Sequence, residues 1–190
     1  FGDATITGRM FFVRANATHN KSDNYKDGSG QEVNSHFKRN SQMLQAGLMP
    51  TRDTRLSVTY ERSRGEAAYA DRMMDGTKFD RDAWSVQGVH QNITPWFKEA
   101  ELRFGSGTVD HVMDNFSMRP VNRMMGQRLH NPKRTVRTAH LKTTLEWGNL
   151  NVQAGLDWSR DRHRARMGAD YLANPFMPRQ RFRQPGDSAD

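Results

Sequence analysis

The residues with the most distinctive chemistry in this sequence are its methionines and one histidine. Eleven Met occur in 190 residues, and eight of them (Met73, Met74, Met113, Met118, Met124, Met125, Met167 and Met177) fall in segments that read as long polar loops and not as strand faces. Thioether sulfur is soft and uncharged and needs no deprotonation to bind. Clustered Met with an occasional imidazole therefore favours copper, as Cu(I), over zinc, iron and the hard cations. His111 and Met113 stand two apart in His-Val-Met, so in an extended segment they project to the same side and could hold one ion. Met also fills irregular space beneath long loops, and on residue chemistry alone both uses of His111 and Met113 stand.

Other chemistries lack their full complement of groups. The absence of Cys excludes disulfides and thiolates within these residues. Glu99 and Glu101 could form an acid/base pair, but no nucleophile or oxyanion donor accompanies them, and they read better as polar residues facing water. There is no phosphate-binding glycine loop, no Ser/His/Asp arrangement and no zinc-spaced cluster, so an enzyme is not expected. His90 and His140 read as polar strand positions, His36 falls in a weak strand, and His163 is embedded among arginines that disfavour a metal cation.

The elements that must position the Met and His residues are strands. Leu56, Val58 and Tyr60 alternate with Ser57, Thr59 and Glu61; Ala100, Leu102 and Phe104 alternate with Glu99, Glu101 and Arg103; Leu150, Val152, Ala154, Leu156 and Trp158 oppose Asn151, Gln153, Gly155 and Asp157. Period-two sorting is the mark of a strand with one apolar and one wet face. Looser alternation covers Arg137 to Trp147, and weaker strands are read at Ala4 to Asn16, Ser35 to Met49 and Asp82 to Gln91, which makes about seven in all. Their connections alternate. Pro50 to Thr54, Asn92 to Phe97 and Trp147 to Asn149 are tight, whereas Ala17 to Asn34, Arg64 to Arg81, Ser106 to Lys133 and Ser159 onward are long.

Outer-membrane barrels carry short periplasmic turns and long extracellular loops, with strands of roughly 9 to 11 residues crossing the bilayer. The four Trp fit two aromatic girdles, Trp96 and Trp147 beside short turns, Trp84 and Trp158 beside long loops. The expected fold is all-β: an antiparallel transmembrane β-barrel fragment with apolar residues facing lipid. A soluble sandwich with one solvated face would give the same alternation. With 35% apolar residues and a mean hydropathy of -0.92, such a sandwich would have little to bury. No apolar run approaches the roughly 18 residues of a membrane helix. An open sheet edge is not viable in lipid, so more strands are needed than these residues supply, and the chain, starting at Phe1, reads as an excised or processed piece. The net charge of +8 and pI near 10.2 suggest an anionic partner, either nucleic acid or membrane phosphate. Arg160 to Arg166 and Arg179 to Arg183 are expected near phosphate-bearing headgroups, lipopolysaccharide or another outer-membrane lipid.

The run Asp110-His-Val-Met-Asp-Asn-Phe-Ser-Met-Arg-Pro120, with Asp71-Arg-Met-Met-Asp75 upstream and the strand order around them, resembles the TonB-dependent copper receptors of the bacterial outer membrane, the OprC-like family. The likeness extends over essentially the whole chain. It implies a 22-stranded barrel with an N-terminal plug, energised by the TonB complex through that plug, of which residues 1–190 would be roughly the first half of the barrel. In that family a plug Cys-x-x-x-Met joins a barrel His-x-Met to bind copper, and further Met residues form a track from outside. His111 and Met113 match the barrel element, and Met74 matches a track position by its place in the preceding long loop. The plug element and TonB box are not in this sequence.

Three other readings compete. A ferric-siderophore receptor of the same architecture would use aromatics and Arg, such as Phe116 and Tyr171 with the Arg-rich loops, but leaves the Met cluster unexplained. A basic nucleic-acid-binding module would draw on Arg162 to Arg166 and Arg179 to Arg183, yet none of the usual recognition motifs is present, so nucleic acid is not the expected partner. The third is a barrel section that contributes no ligands.

Overall fold

The computed structural model describes residues 1–122 and 124–170. Every regular element among them is a strand: β1 (Gly2–Thr7), β2 (Phe11–Ser22), β3 (Tyr25–Lys26), β4 (Glu32–Val33), β5 (Phe37–Leu48), β6 (Thr54–Ala67), β7 (Asp75–Gln91), β8 (Phe97–Asp114), β9 (Gln127–Trp147) and β10 (Leu150–Asp170). Eight of them form one antiparallel sheet in the order β1-β2-β5-β6-β7-β8-β9-β10, and β3 and β4 make a separate small hairpin. This is a β-barrel fragment whose sheet is not closed. β1 and β10 are its two edges.

The inter-strand register sorts the side chains onto two faces. Leu44, Tyr60 and Trp84 stand opposite one another in neighbouring strands, as do Ala46, Val58, Val86, Phe104, Ala139 and Trp158, and then Leu56, Gly88, Leu102, Leu141 and Leu156. This face is apolar and exposed, and Ala68 is the one buried hydrophobic residue among the described ones. Among the described residues no second sheet packs on it, as the sandwich reading would require. The other face carries Ser57, Thr59, Gln87, Glu101, Arg103, Asn151 and Gln153. Its carboxylates are engaged sideways: Gln87 Nε2 donates to Glu101 Oε1 at 2.7 Å, Arg103 lies 3.1 Å from the same oxygen, and Lys142 stands 4.0 Å from Glu99. Glu99 and Glu101 are thus neutralised by neighbours, as polar residues on a wet wall would be.

Three expectations are corrected. Ala4 to Asn16 is not one strand: Gly8, Arg9 and Met10 form a turn between β1 and β2, which adds a short connection and makes eight strands where about seven were read. The segments Arg64 to Arg81 and Ser106 to Lys133 are largely strand, and so is the described part of the segment from Ser159, because β6 runs to Ala67, β7 begins at Asp75, β8 runs to Asp114, β9 begins at Gln127 and β10 runs to Asp170. Their outer parts mix polar and apolar residues on both faces, as with Lys78 and Phe79 or Asp110 and Val109, so they lack the period-two contrast. Trp84 and Trp158 accordingly lie within strands and not at strand ends. The alternation of connections survives: 8–10, 49–53, 92–96 and 148–149 lie at one end of the sheet, and 23–36, 68–74 and 115–126 at the other. Gly148 takes a φ of 56° in its two-residue turn, a conformation costly for residues with a Cβ.

Two aromatic levels remain. Trp96 and Trp147 stack at 5.8 Å beside the short turns. Trp158 pairs with Ala139, eight residues before Trp147 on β9. At about 3.3 Å per residue and a tilt of roughly 40°, the two levels are about 20 Å apart along the barrel axis. That is close to the ~25 Å apolar band of outer-membrane barrels.

Candidate metal site

β8 continues past Phe104 and Ser106, the row of Trp84, into the polar end of the sheet, and there it carries His111 and Met113. Both belong to the polar face, in phase with Glu101 and Arg103, as the His-x-Met spacing requires. They therefore stand on a strand and not in the loop read from the sequence, because β8 extends to Asp114. Opposite Met113 on β7 is Gly76, and opposite it on β9 is His130. Opposite His111 is Phe79, whose ring lies 4.3 Å from the imidazole. A Cβ on Gly76 would collide with that same ring, so the bare glycine lets Phe79 lie against the sheet beside His111.

His111 is half-buried, and its Nε2 is buried without a hydrogen-bond partner among the described residues. A buried polar atom left unpaired is costly and needs a partner such as a water or a bound ion; Asn34 Nδ2 is the other such atom among the described residues. Burial, and secondarily the nearby positive potential of His130, pushes the His111 imidazole below its ordinary value. The neutral form, with a free lone pair, is the form that ligates metal. No group of three or more His, Cys, Asp or Glu able to hold a metal occurs among the described residues. The donors assembled here are instead two imidazoles and a thioether, a borderline-to-soft set.

Met74 lies in the 68–74 connection, two residues before Gly76, which brings it to the same end of the sheet as Met113. Met73, Met118, Met124 and Met125 also fall in connections at that end, whereas Met167 is on β10; Met177 lies outside the described residues, as do Tyr171 and Arg179 to Arg183. His130 was invisible to sequence reasoning: its segment reads as loop, and only the β8–β9 register sets it beside Met113.

The rim of this region is locked by a buried ion pair. Asp75 is fully buried; Arg119 Nε donates to its Oδ2 at 2.7 Å, Arg119 Nη2 bonds its Oδ1, and Tyr69 N–H donates to Oδ1 at 2.9 Å. The guanidinium also donates to the carbonyls of Arg72 and Tyr69 at 2.6 and 2.7 Å. Burial alone would raise the Asp75 carboxyl, but Arg119 and the Tyr69 N–H outweigh it and hold the group below the ordinary carboxylate value. Connection 115–126 is thereby tied to 68–74. At its base Asp114 accepts from Phe116 N, Ser117 N and Ser117 Oγ at 3.0, 2.8 and 2.7 Å, and Asn115 bridges Gly126 O and Arg128 N at 2.8 and 2.7 Å.

The structure is similar to that of the copper transporter OprC, with a TM-score of 0.83 and 29% sequence identity. The match covers 90% of this chain and 27% of that one, so the chain spans about a quarter of the transporter's length. No family model and no curated protein matches the sequence.

Proposed function

We propose that residues 1–190 are a section of the barrel domain of a TonB-dependent outer-membrane transporter whose substrate is copper, carried as Cu(I), with the plug and remaining strands elsewhere in the parent protein. In this reading His111 and Met113 are ligands, His130 flanks them and Met74 lies on the approach. The observation that carries it is the unpartnered, buried Nε2 of His111 on the same face as Met113. The likeness to a copper transporter supports it independently. The apolar face would meet lipid and the polar face the lumen. No helix among the described residues is long and apolar enough to cross a membrane, so the strands would do so. The TonB complex would act through the plug.

The ferric-siderophore reading rests on Phe116, Tyr171 and the Arg-rich loops, of which Tyr171 and Arg179 to Arg183 lie outside the described residues, and it leaves His111 and Met113 without a role. Titrating the intact purified receptor with Cu(I) against a chromophoric competitor, and separately with Zn(II) and a ferric chelate, tests the proposal. Tight Cu(I) binding with weak binding of the other two is expected. Preferential binding of the ferric chelate would transfer the assignment to the siderophore class.

The membrane reading has its own test. Val58→Arg puts a cation in the middle of the apolar face, and is expected to destabilise the barrel in lipid vesicles by roughly 2–4 kcal/mol. Ser57→Arg, one residue away on the polar face, should be close to neutral. Equal effects in denaturant titrations would refute the assignment of faces.

A further inference from the structure

Above the level of Trp158, the apolar face gives way to a basic ladder. On β10 every second residue is an arginine, Arg160, Arg162, Arg164 and Arg166, all in phase with Trp158 and all exposed. On β9 Arg137 stands directly opposite Arg160, and Lys133 directly opposite Arg164. Like charges facing each other across two strands destabilise a sheet. Nearby strands avoid this on the same face: Arg64 is paired with Asp80 and Asp82 at 3.3 and 2.6 Å, and Lys78 with Asp110 at 2.9 Å. None of the six cations on β9 and the edge strand β10 forms an ion pair among the described residues, although Lys133 stands opposite Asp110 of β8, whose carboxylate bonds Lys78. Asp161 is on the opposite face, where it accepts from Arg134 Nε at 2.6 Å.

We infer that this ladder is a binding site for the phosphate groups of an outer-leaflet lipid, each facing pair of cations gripping one phosphate. The inference rests on the membrane reading, because it is the apolar band below Trp158 that brings the ladder to headgroup height. Facing residues on adjacent strands are about 5 Å apart. Arg137 with Arg160 and Lys133 with Arg164 form two rungs four residues, or about 13 Å, apart, with Arg162 between them opposite Thr135, a spacing that suits a headgroup with more than one phosphate. Arginine's planar fork matches phosphate oxygens two at a time. The row of Arg137 and Arg160 is also the row of Ser106, Trp84 and Tyr60, which sets the first rung beside the aromatics that anchor at the interface. A merely solvated charged face would be expected to mix signs, as β6, β7 and β8 do.

The test uses the intact receptor and a variant with Arg137, Arg160, Arg162 and Arg164 all changed to Gln, each checked for barrel folding by heat-modifiable gel mobility. Binding is measured to detergent-dispersed lipopolysaccharide, to the same lipid with its phosphates removed, and in the presence of millimolar inorganic phosphate. Expected are a loss of at least about tenfold in affinity in the variant, a comparable loss on dephosphorylation, weakening with salt, little competition by free phosphate, and unchanged Cu(I) affinity. Equal binding by wild type and folded variant, or indifference to the lipid phosphates, overturns the inference. Full competition by millimolar phosphate would make this a free-anion site, and stronger salt-sensitive binding to duplex DNA than to lipid would make it a nucleic-acid face; either also overturns it. A parent protein that remains in the aqueous phase without detergent would instead remove the membrane reading beneath it.

Discussion

Replacing Met113 by leucine in the intact receptor is expected to weaken Cu(I) binding by at least about 100-fold while leaving the barrel folded. Losing an outer-shell partner of a metal ligand costs roughly 10- to 100-fold, and removing a ligand outright should cost no less than the upper end of that range. Leucine nearly conserves the volume of methionine, a swap that usually costs less than about 1.5 kcal/mol of stability. Met113 is only half-buried, so packing loss should be smaller still. His111→Phe should act in the same direction while preserving a ring to stack on Phe79. Met74→Leu should slow copper accumulation more than it lowers equilibrium affinity, because Met74 is assigned to the route. Competition titration with a Cu(I) indicator reads the first two variants and uptake by cells reads the third. If Met113→Leu binds Cu(I) as tightly as wild type, Met113 is a packing residue and the His-x-Met assignment fails.

Arg119→Ala should produce the largest structural effect available by a single change outside the apolar band. It strands the fully buried Asp75 carboxylate without its cation, and breaking a buried pair from one side costs about 3–5 kcal/mol. The loss should be local, appearing as rapid hydrogen exchange in 68–76 and 115–126, with the body of the sheet still protected. Arg119→Lys keeps the charge but not the fork, and should recover only part of the protection. The same lock has a defined pH response. Because the folded carboxyl of Asp75 lies below its ordinary value, its contribution is complete above the unfolded value of about 3.9 and is lost as pH falls through the folded one. Protection in these two connections, taken relative to the intrinsic exchange rate at each pH, should therefore fall in acid in the wild type and respond much less in Arg119→Ala. Unchanged exchange in the alanine variant would show that the connections are held by other contacts.

The extent of the strands was legible only where a bilayer-like contrast existed. Between Trp147 and Ala139 the two faces differ in polarity and the period is plain; beyond Ser106, residues such as Asp110 and Lys78 occupy positions in phase with the apolar face, so the pattern vanishes although the hydrogen-bonded ladder continues. For the same reason the Gly8 turn was missed: Ile6 on β1 and Val13 on β2 are both apolar and pair across the hairpin, so the chain reverses with no change in composition. Within the site, the relation of His111 to Met113 followed from spacing alone, because it lies within one strand. His130 and Gly76 come from neighbouring strands, and their positions depend on registers set by bulges such as the one between Gly76 and Lys78.

The overshoot of β7, β8 and β9 beyond the upper aromatic level also bears on how fast an ion can be taken. Ligands on a mobile loop must be ordered at the moment of capture, with an entropic penalty for each side chain and backbone segment immobilised. Here the backbone bearing His111 and Met113 is already fixed by ladders on both sides, like a stiff collar beyond the apolar band. On the proposed reading, capture then needs no ordering of the site and should be governed by diffusion and by stripping the ion of its previous ligands, so that association shows no additional slow phase from loop ordering.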